Sequence, residues 1–143
     1  MKILVINGPN LNMLGIREPE IYGKMTLDQL NEKVDEAGKA LLLDIEFFQS
    51  NHEGAIIDKI QAAYGKMDGI IINPGAYSHY SYAIRDALKS VDIKTVEVHL
   101  SDISNREYFR KTSVIEEVVA KQISGKGINS YIEALHYLKE HLK

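Results

Sequence analysis

Hydrophobic and polar residues alternate in blocks along this chain, and the blocks predict five strands. Residues 2–7 and 69–73 are almost continuously apolar, which indicates strands that are buried on both faces. Apolar and acidic side chains partly alternate over residues 43–48, a pattern typical of an edge strand with one wetter face. The remaining strands are expected at residues 94–100 and, after a short helical turn, at residues 118–123.

Apolar residues that recur at steps of three and four predict four helices. Thr26 and Gln29 have the spacing of a capping box for the first helix, whose buried face would be Leu27, Leu30, Val34, Ala37 and Leu41. Ser50 and Glu53 have the same spacing before a second helix, which is expected to stop at Gly65. The buried face of this second helix would be Ile56, Ile57, Ile60, Ala63 and Tyr64.

The third and fourth helices complete an alternating α/β pattern. The third is expected to run from Ser78 or His79 to Ser90, and the fourth to begin near Ile128. We interpret four tyrosines at helical positions as packing residues: Tyr80, Tyr82, Tyr131 and Tyr137. The alternation predicts a parallel sheet with helices on both faces, and five strands favour the flavodoxin-like order 2-1-3-4-5. No linker divides the chain, so residues 1–143 are expected to form a single domain.

Composition narrows the possible functions. The formal net charge is -3, which argues against a nucleic-acid-binding surface. No cysteine is present, so disulfides, thiolate metal sites and cysteine nucleophiles are excluded. No apolar run reaches membrane-spanning length and the N-terminus lacks the pattern of a signal peptide, so we expect a cytoplasmic protein without membrane contact. Neither G-x-G-x-x-G after the first strand nor a G-K-[ST] loop occurs, so no nucleotide cofactor is predicted.

Polar side chains are concentrated where the predicted strands end. In an open parallel sheet, ligands bind beyond the carboxyl ends of the strands, at the point where the strand order reverses. The connection after the first strand, residues 8–23, is long for a strand-to-helix loop and is therefore a candidate functional segment. The polar side chains at these positions are Asn10, Asn12, Arg17, Tyr22, Asn73, His79, Glu97, His99, Ser101, Arg106 and Arg110.

Two pairs in this set have the chemistry of acid–base catalysis. Glu97 and His99 lie two residues apart on a strand, and a carboxylate beside an imidazole fixes its tautomer and raises its basicity. The pKa of a tyrosine, about 10 in water, is too high for a base at neutral pH, but the charge of Arg17 would favour the phenolate of Tyr22. The same residues also fit a solvated Glu97, a structural His99, and a surface loop whose Tyr22 packs on the first helix.

Other members of the set also have simpler explanations. The segment Asn73-Pro74-Gly75 fits an ordinary strand end, and Ser78 and His79 fit the cap of the third helix. Arg106 and Arg110 are four residues apart, a spacing that is compatible with two solvent-facing side chains. The backbone N–H groups of Leu100 and Ser101, at the end of a strand, can hold a carboxylate.

Short motifs follow one another in a specific order from the first strand past the fourth. They are Asn7-Gly8-Pro9-Asn10-Leu11-Asn12, Arg17-Glu18-Pro19 with Tyr22-Gly23, Gln49-Ser50-Asn51-His52-Glu53-Gly54, Asn73-Pro74-Gly75, Ser78-His79, Arg85-Asp86-Ala87, Glu97-Val98-His99-Leu100-Ser101, and Arg106 with Phe109-Arg110. Each motif is weak by itself, but the ordered set is highly specific. In these motifs and in their order, the chain resembles the type II 3-dehydroquinate dehydratases.

The resemblance implies an anti elimination of water from 3-dehydroquinate through an enolate, giving 3-dehydroshikimate without a metal, cofactor or Schiff base. It makes Tyr22 the base, which Arg17 keeps ionised. Asn10, through a water, would steady the enolate oxygen. His99 would be the acid, and Glu97 would orient it. The residues implied in substrate binding are Asn73, His79, Arg110, the backbone amides of Leu100 and Ser101, and Asp86 from a neighbouring subunit.

The resemblance also implies a homo-oligomer, a dodecamer that is built from trimers. Two residues depart from the family pattern: Asp102 stands where asparagine is expected, and Ser130 where glycine is common. Asp102 would place a negative charge near the proposed carboxylate site and weaken substrate binding.

Two other functions remain open on the sequence alone. A flavodoxin-like binding or signalling module without catalysis would need a phosphate loop after the first strand or a phospho-acceptor aspartate, and the chain has Asn73 instead of such an aspartate. A catalytically inactive family member is the other alternative. The presence of Arg17, Tyr22 and His99 argues against it.

Overall fold

The computed structural model describes residues 1–105 and 107–142 of the chain, apart from the side chains of Ile21 and Tyr22. Its strands and helices are, in order, β1 (Lys2–Asn7), α1 (Pro19–Tyr22), α2 (Leu27–Ala40), β2 (Asp44–Gln49), α3 (Glu53–Ala62), β3 (Gly69–Asn73), α4 (Tyr82–Val91), β4 (Lys94–Val98), β5 (Lys121–Ile123) and α5 (Ile128–His141). The strands pair in parallel in the order β2-β1-β3-β4-β5, which confirms the predicted flavodoxin-like fold. None of the described helices combines the length and the hydropathy that crossing a membrane requires.

Two apolar layers enclose the sheet and explain its continuously apolar strands. Side chains alternate along a strand, so Ile3 and Val5 of β1 pack with the layer that contains α2 and α5. Leu4 and Ile6 pack with the opposite layer, which contains α3 and α4. All four side chains are fully buried, as the apolar run predicted. The pairing of β1 with β3 places their last residues side by side at the point where the strand order reverses.

The start of α2 follows a local sequence rule. The Thr26 hydroxyl accepts a hydrogen bond from the Gln29 N–H at 3.2 Å, and the Thr26 N–H donates to Gln29 Oε1 at 3.0 Å. Both bonds of the predicted capping box are therefore present. Leu30 and Val34 of the predicted stripe are buried against the sheet.

The start of α3 does not follow the same rule, and the second predicted capping box is wrong. The helix begins after His52, and the Ser50 hydroxyl accepts from the His52 N–H at 2.9 Å in a turn outside the helix. The Glu53 carboxylate accepts a hydrogen bond from the Ser81 hydroxyl, so it is not available to reach back to the Ser50 backbone. This contact joins the starts of α3 and α4, and a local spacing rule cannot anticipate it.

Helix α4 begins later than predicted. Residues Gly75–His79 form a 3-10 helix, and the cap residue of α4 is Ser81, whose hydroxyl accepts from the Ile84 N–H at 3.1 Å. Ser78 and His79 therefore do not cap this helix. The side chains of Tyr64 and Tyr82 are 70% and 64% exposed, so their interpretation as buried or packing residues is wrong for this chain. Tyr80 is also exposed, although its ring edge contacts the Tyr77 ring.

Candidate active site

A cleft opens beyond the carboxyl ends of β1, β3 and β4, where the strand order reverses. Eight predicted site residues line it: Asn10, Arg17, Asn73, His79, His99, Leu100, Ser101 and Arg110. Among the described residues, no Lys, Asp or Glu lines the cleft. No three His, Asp or Glu side chains in the described part of the chain lie close enough together to hold a metal ion.

The loop after β1 is held over the cleft by two side chains that the sequence analysis did not assign to the site. Asn51 Oδ1 accepts from the Asn10 N–H at 3.0 Å, and Gln49 Nε2 donates to the Gly8 carbonyl at 3.1 Å. Asn10 has a φ of 70°, in the left-handed region that asparagine tolerates better than most residues. Gln49 ends β2, the strand that pairs with β1, so the sheet itself carries it to the loop. These contacts fix the position of Asn10.

Gly8 lies where the loop after β1 approaches the end of β3 most closely. A Cβ atom at Gly8 would lie 2.6 Å from the Pro74 carbonyl oxygen and 3.2 Å from the Asn73 carbonyl oxygen. Because both neighbours are backbone atoms, we expect Gly8→Ala to displace the loop and to lower the free energy of unfolding by about 1–3 kcal/mol, measured by chemical denaturation. Gly54→Ala is the matched control, since nothing lies within 4 Å of its added Cβ. Equal losses in both variants would rule out close packing as the cause.

The contact between Glu97 and His99 that the sequence predicts is present, and it is buried. His99 Nε2 lies 2.5 Å from Glu97 Oε2, and the Ser113 hydroxyl donates to the same carboxylate at 2.8 Å. Glu97 is fully buried, whereas His99 lines the cleft. Strand β4 ends at Val98, earlier than predicted, but the His99 N–H still donates to the Ile123 carbonyl of β5 at 3.0 Å. With Nε2 bound to the carboxylate, Nδ1 is the ring nitrogen that remains for proton transfer.

His79 is fixed as a hydrogen-bond acceptor in the same cleft. Its Nδ1 lies 2.8 Å from the Thr112 carbonyl oxygen, so Nδ1 carries the hydrogen and donates it. Partial burial, aided by the charge of Arg110, lowers the pKa of His79 below its usual value, although the bond to Thr112 opposes this shift. The lowered pKa favours the neutral ring at neutral pH, in which Nε2 carries no hydrogen and can accept one. This state is suited to a ligand hydroxyl.

Two guanidinium groups line the cleft, and each also has an acidic partner. Arg17 and Arg110 both line it. Arg17 Nε lies 3.9 Å from a carboxylate oxygen of Glu18, and Arg110 forms an ion pair with Glu107. The Arg110 guanidinium also lies 5.0 Å from the centre of the Phe109 ring, which restricts its position. Because both acidic partners lie outside the lining of the cleft, the two cations are suited to an anionic ligand.

Five predicted site residues are not among the described residues that line the cleft. Asn12 is one of them, and its Oδ1 accepts from Gln49 Nε2 at 3.4 Å. Glu97 lies behind His99. The Tyr22 side chain and Arg106 lie outside the described residues, although the backbone of Tyr22 ends α1. Asp86 is exposed on α4, 3.5 Å from Arg85. Its contribution to a neighbouring subunit's site remains a prediction.

The two residues that depart from the family pattern both have local structural roles. The Asp102 carboxylate accepts from the Ser104 N–H at 3.0 Å, the Ser104 hydroxyl at 2.6 Å and the Asn105 side-chain amide at 2.9 Å. These bonds from Ser104 lower the pKa of Asp102, and the carboxylate does not line the cleft. Its charge therefore organises a turn. Ser130 is fully buried, and its hydroxyl accepts from the Lys126 N–H at 3.3 Å.

Similarity to known proteins extends over nearly the whole chain. A family model described as "Dehydroquinase class II" matches residues 1–139. The 3-dehydroquinate dehydratase of Caldicellulosiruptor bescii is 59% identical over 99% of this chain and 98% of that protein, and the one from Clostridium perfringens is 60% identical over 100% and 99%. The crystal structure of the type II dehydroquinase from Butyrivibrio crossotus matches with a TM-score of 0.95, at 58% identity over 96% of this chain and 97% of that chain.

Proposed function

Because this chain belongs to the class II dehydroquinase family, we propose that it dehydrates 3-dehydroquinate to 3-dehydroshikimate, a hydro-lyase reaction of the shikimate pathway. One observation carries the proposal: His99, held by the buried Glu97, faces a cleft that is also lined by two arginines. The substrate is a carboxylate with a ketone and several hydroxyls. The cleft offers cations for the carboxylate, neutral polar groups for the hydroxyls, and an imidazole for proton transfer.

The first proposed step is removal of a proton from the carbon beside the ketone. Tyr22, the last residue of α1, is the proposed base. Arg17 lines the cleft from the same loop, and its permanent charge favours the phenolate. The electron pair of the broken C–H bond moves onto the ketone oxygen as an enolate. Asn10, acting through a water, is proposed to stabilise that oxygen, and its loop position is fixed by Asn51.

The second proposed step is loss of the hydroxyl group, with His99 as the acid. The enolate electrons form a carbon–carbon double bond, the C–O bond breaks, and the departing oxygen takes a proton from His99 and leaves as water. Glu97 holds Nε2 and so orients the ring for this transfer. The proton that Tyr22 accepted returns to His99 through solvent, which restores both groups. Anti elimination requires Tyr22 and His99 to act on opposite faces of the substrate.

The remaining cleft residues are proposed to bind the substrate. Arg110 and the backbone N–H groups of Leu100 and Ser101 would hold the carboxylate, since all three residues line the cleft. Asn73 and His79 would bind hydroxyls, and His79 offers an acceptor because its Nδ1 donates to Thr112.

We also propose the assembly and the location that the resemblance implies: a dodecamer of trimers in the cytoplasm. In such an assembly, Asp86 of one subunit would reach the site of its neighbour. The exposed side chains of Tyr82, Tyr108 and Phe109 provide apolar surface that subunit contacts would cover.

The function is tested by mixing the protein with 3-dehydroquinate and following the absorbance of the conjugated enone product. We expect the absorbance to rise at a rate proportional to enzyme concentration, without an added metal or cofactor. Sodium borohydride added with the substrate is expected to leave the enzyme active, since no lysine lines the described cleft to form an imine. Absence of product in every buffer would contradict the function. Borohydride inactivation would instead indicate a lysine-based mechanism.

A further inference from the structure

A chain of buried hydrogen bonds runs beneath the cleft and joins the ends of β1 and β3 to α5. The Gly75 N–H donates to Asn73 Oδ1 at 3.1 Å, and Asn73 Nδ2 donates to the Tyr131 hydroxyl at 3.0 Å. The Tyr131 hydroxyl donates in turn to Asn7 Oδ1 at 2.6 Å. Tyr131 is fully buried, and the two asparagines are 1% and 3% exposed. Of these three side chains, Asn73 lines the cleft, whereas Tyr131 and Asn7 do not.

The direction of every bond in this chain follows from the chemistry of its donors. A backbone N–H only donates, so Asn73 must turn its oxygen to Gly75 and its amide nitrogen to Tyr131. A hydroxyl has a single hydrogen, and Tyr131, which accepts from Asn73, gives that hydrogen to Asn7. Burial raises the pKa of Tyr131, so the hydroxyl keeps its hydrogen throughout the neutral range. Asn73 Nδ2 carries two hydrogens, and one of them is donated to Tyr131. The other is the one that Asn73 can donate to a ligand.

We propose that Tyr131 is a positioning residue for substrate binding, which acts through Asn73 and is itself oriented by Asn7. This inference rests on the proposed function. It adds that Asn73 is the donor, and the substrate the acceptor, in the hydrogen bond between them. Asn73 would donate to a substrate oxygen, whereas His79 accepts from a substrate hydroxyl. If the Asn73 amide were flipped, it would present its oxygen to the substrate in place of the N–H. The site would then have acceptors at both Asn73 and His79, and it would lose the Asn73 donor. The buried tyrosine thereby contributes to the discrimination between substrate oxygens.

Tyr131→Phe keeps the ring and removes the hydroxyl, so the Asn73 amide keeps only the Gly75 N–H as a partner and one Nδ2 hydrogen loses its buried acceptor. We expect KM for 3-dehydroquinate to rise about tenfold while kcat stays within about twofold of wild type. Asn7→Ala is expected to raise KM similarly, because the Tyr131 hydrogen then loses its acceptor and the hydroxyl is no longer held in the orientation in which it accepts from Asn73. Tyr137→Phe, on the same helix but with its ring stacked on His141, is the matched control and should leave both constants unchanged.

A double-variant measurement separates positioning from general destabilisation. In an Asn73→Ala background, Tyr131→Phe should cause no further rise in KM, because the residue through which it acts is absent. A full additional rise there, or a wild-type KM in both Tyr131→Phe and Asn7→Ala, would overturn the inference. If Tyr131→Phe does not fold, Asn7→Ala decides the question by itself. Wild-type turnover is measured first: its absence would contradict the proposed function, whereas normal turnover with unresponsive variants would contradict the role of Tyr131 alone.

Discussion

Tyr22→Phe is expected to lower kcat for 3-dehydroquinate by about 10²–10⁴-fold while the substrate still binds. The substitution removes the oxygen that is proposed to accept the first proton and leaves the ring in place. Arg17 and Arg110, which line the described cleft, are untouched, so the substrate carboxylate keeps its proposed partners. Turnover is measured by enone absorbance, and binding by calorimetry with the unreacted substrate.

The matched control for this prediction is Tyr64→Phe, the same chemical change at an exposed residue that does not line the cleft. It should leave kcat and binding unchanged. A Tyr22→Phe enzyme that retains most of the wild-type kcat would remove Tyr22 from the role of base. Loss of binding with no change in kcat would instead assign the hydroxyl to substrate recognition.

The strands of the sheet were predictable from the sequence because the central strands are continuous apolar segments. Strand β3 and, after the exposed Lys2, strand β1 are buried on both faces, so each shows as an apolar run that ends at an asparagine. Side chains of β2, at the edge, are only partly covered, and the partial alternation of that segment matched this environment. The parallel order then followed from the alternation of strands and helices.

The two predicted capping boxes had different outcomes, because only the first has partners that are free to pair with each other. Thr26 and Gln29 are three residues apart, and both bonds between them form. Ser50 and Glu53 have the same spacing, but the carboxylate of Glu53 instead accepts from Ser81, which is 28 residues further along the chain. The position of Ser81 is set by the packing of α3 against α4, and a local spacing rule contains no information about that packing.

The residues of the candidate site also differ in how well the sequence predicted them. Residues at strand ends, such as Asn73 and His99, were predictable because parallel strands end at one edge of the sheet. Ser113 and Tyr131 were not assigned to the site, because they reach it from distant segments of the chain. The bond between Tyr131 and Asn7 spans 124 residues. In the sequence, Tyr131 shows helical spacing among apolar residues, which indicates packing and does not reveal a hydroxyl with two buried partners.

His99→Ala is expected to lower kcat by about 10²–10⁴-fold, because the departing hydroxyl loses its proton donor. The fold is expected to persist, since the Ser113 hydroxyl still donates to the Glu97 carboxylate at 2.8 Å and the backbone bond from residue 99 to Ile123 does not need the side chain. Circular dichroism checks the fold and enone absorbance the rate. His141→Ala, an exposed histidine near the end of α5, is the control and should keep wild-type turnover.

Hydrogen exchange in D₂O separates the two proposed proton transfers. If Tyr22 removes a proton before His99 delivers one, His99→Ala should still exchange that substrate hydrogen for deuterium, while it forms almost no product. Tyr22→Phe should do neither, because no enolate forms without the base. Proton NMR of recovered 3-dehydroquinate measures the exchange. Loss of exchange in His99→Ala, in an enzyme that still binds substrate, would show that His99 takes part in the first step. The assignment of one group to each proton would then be wrong.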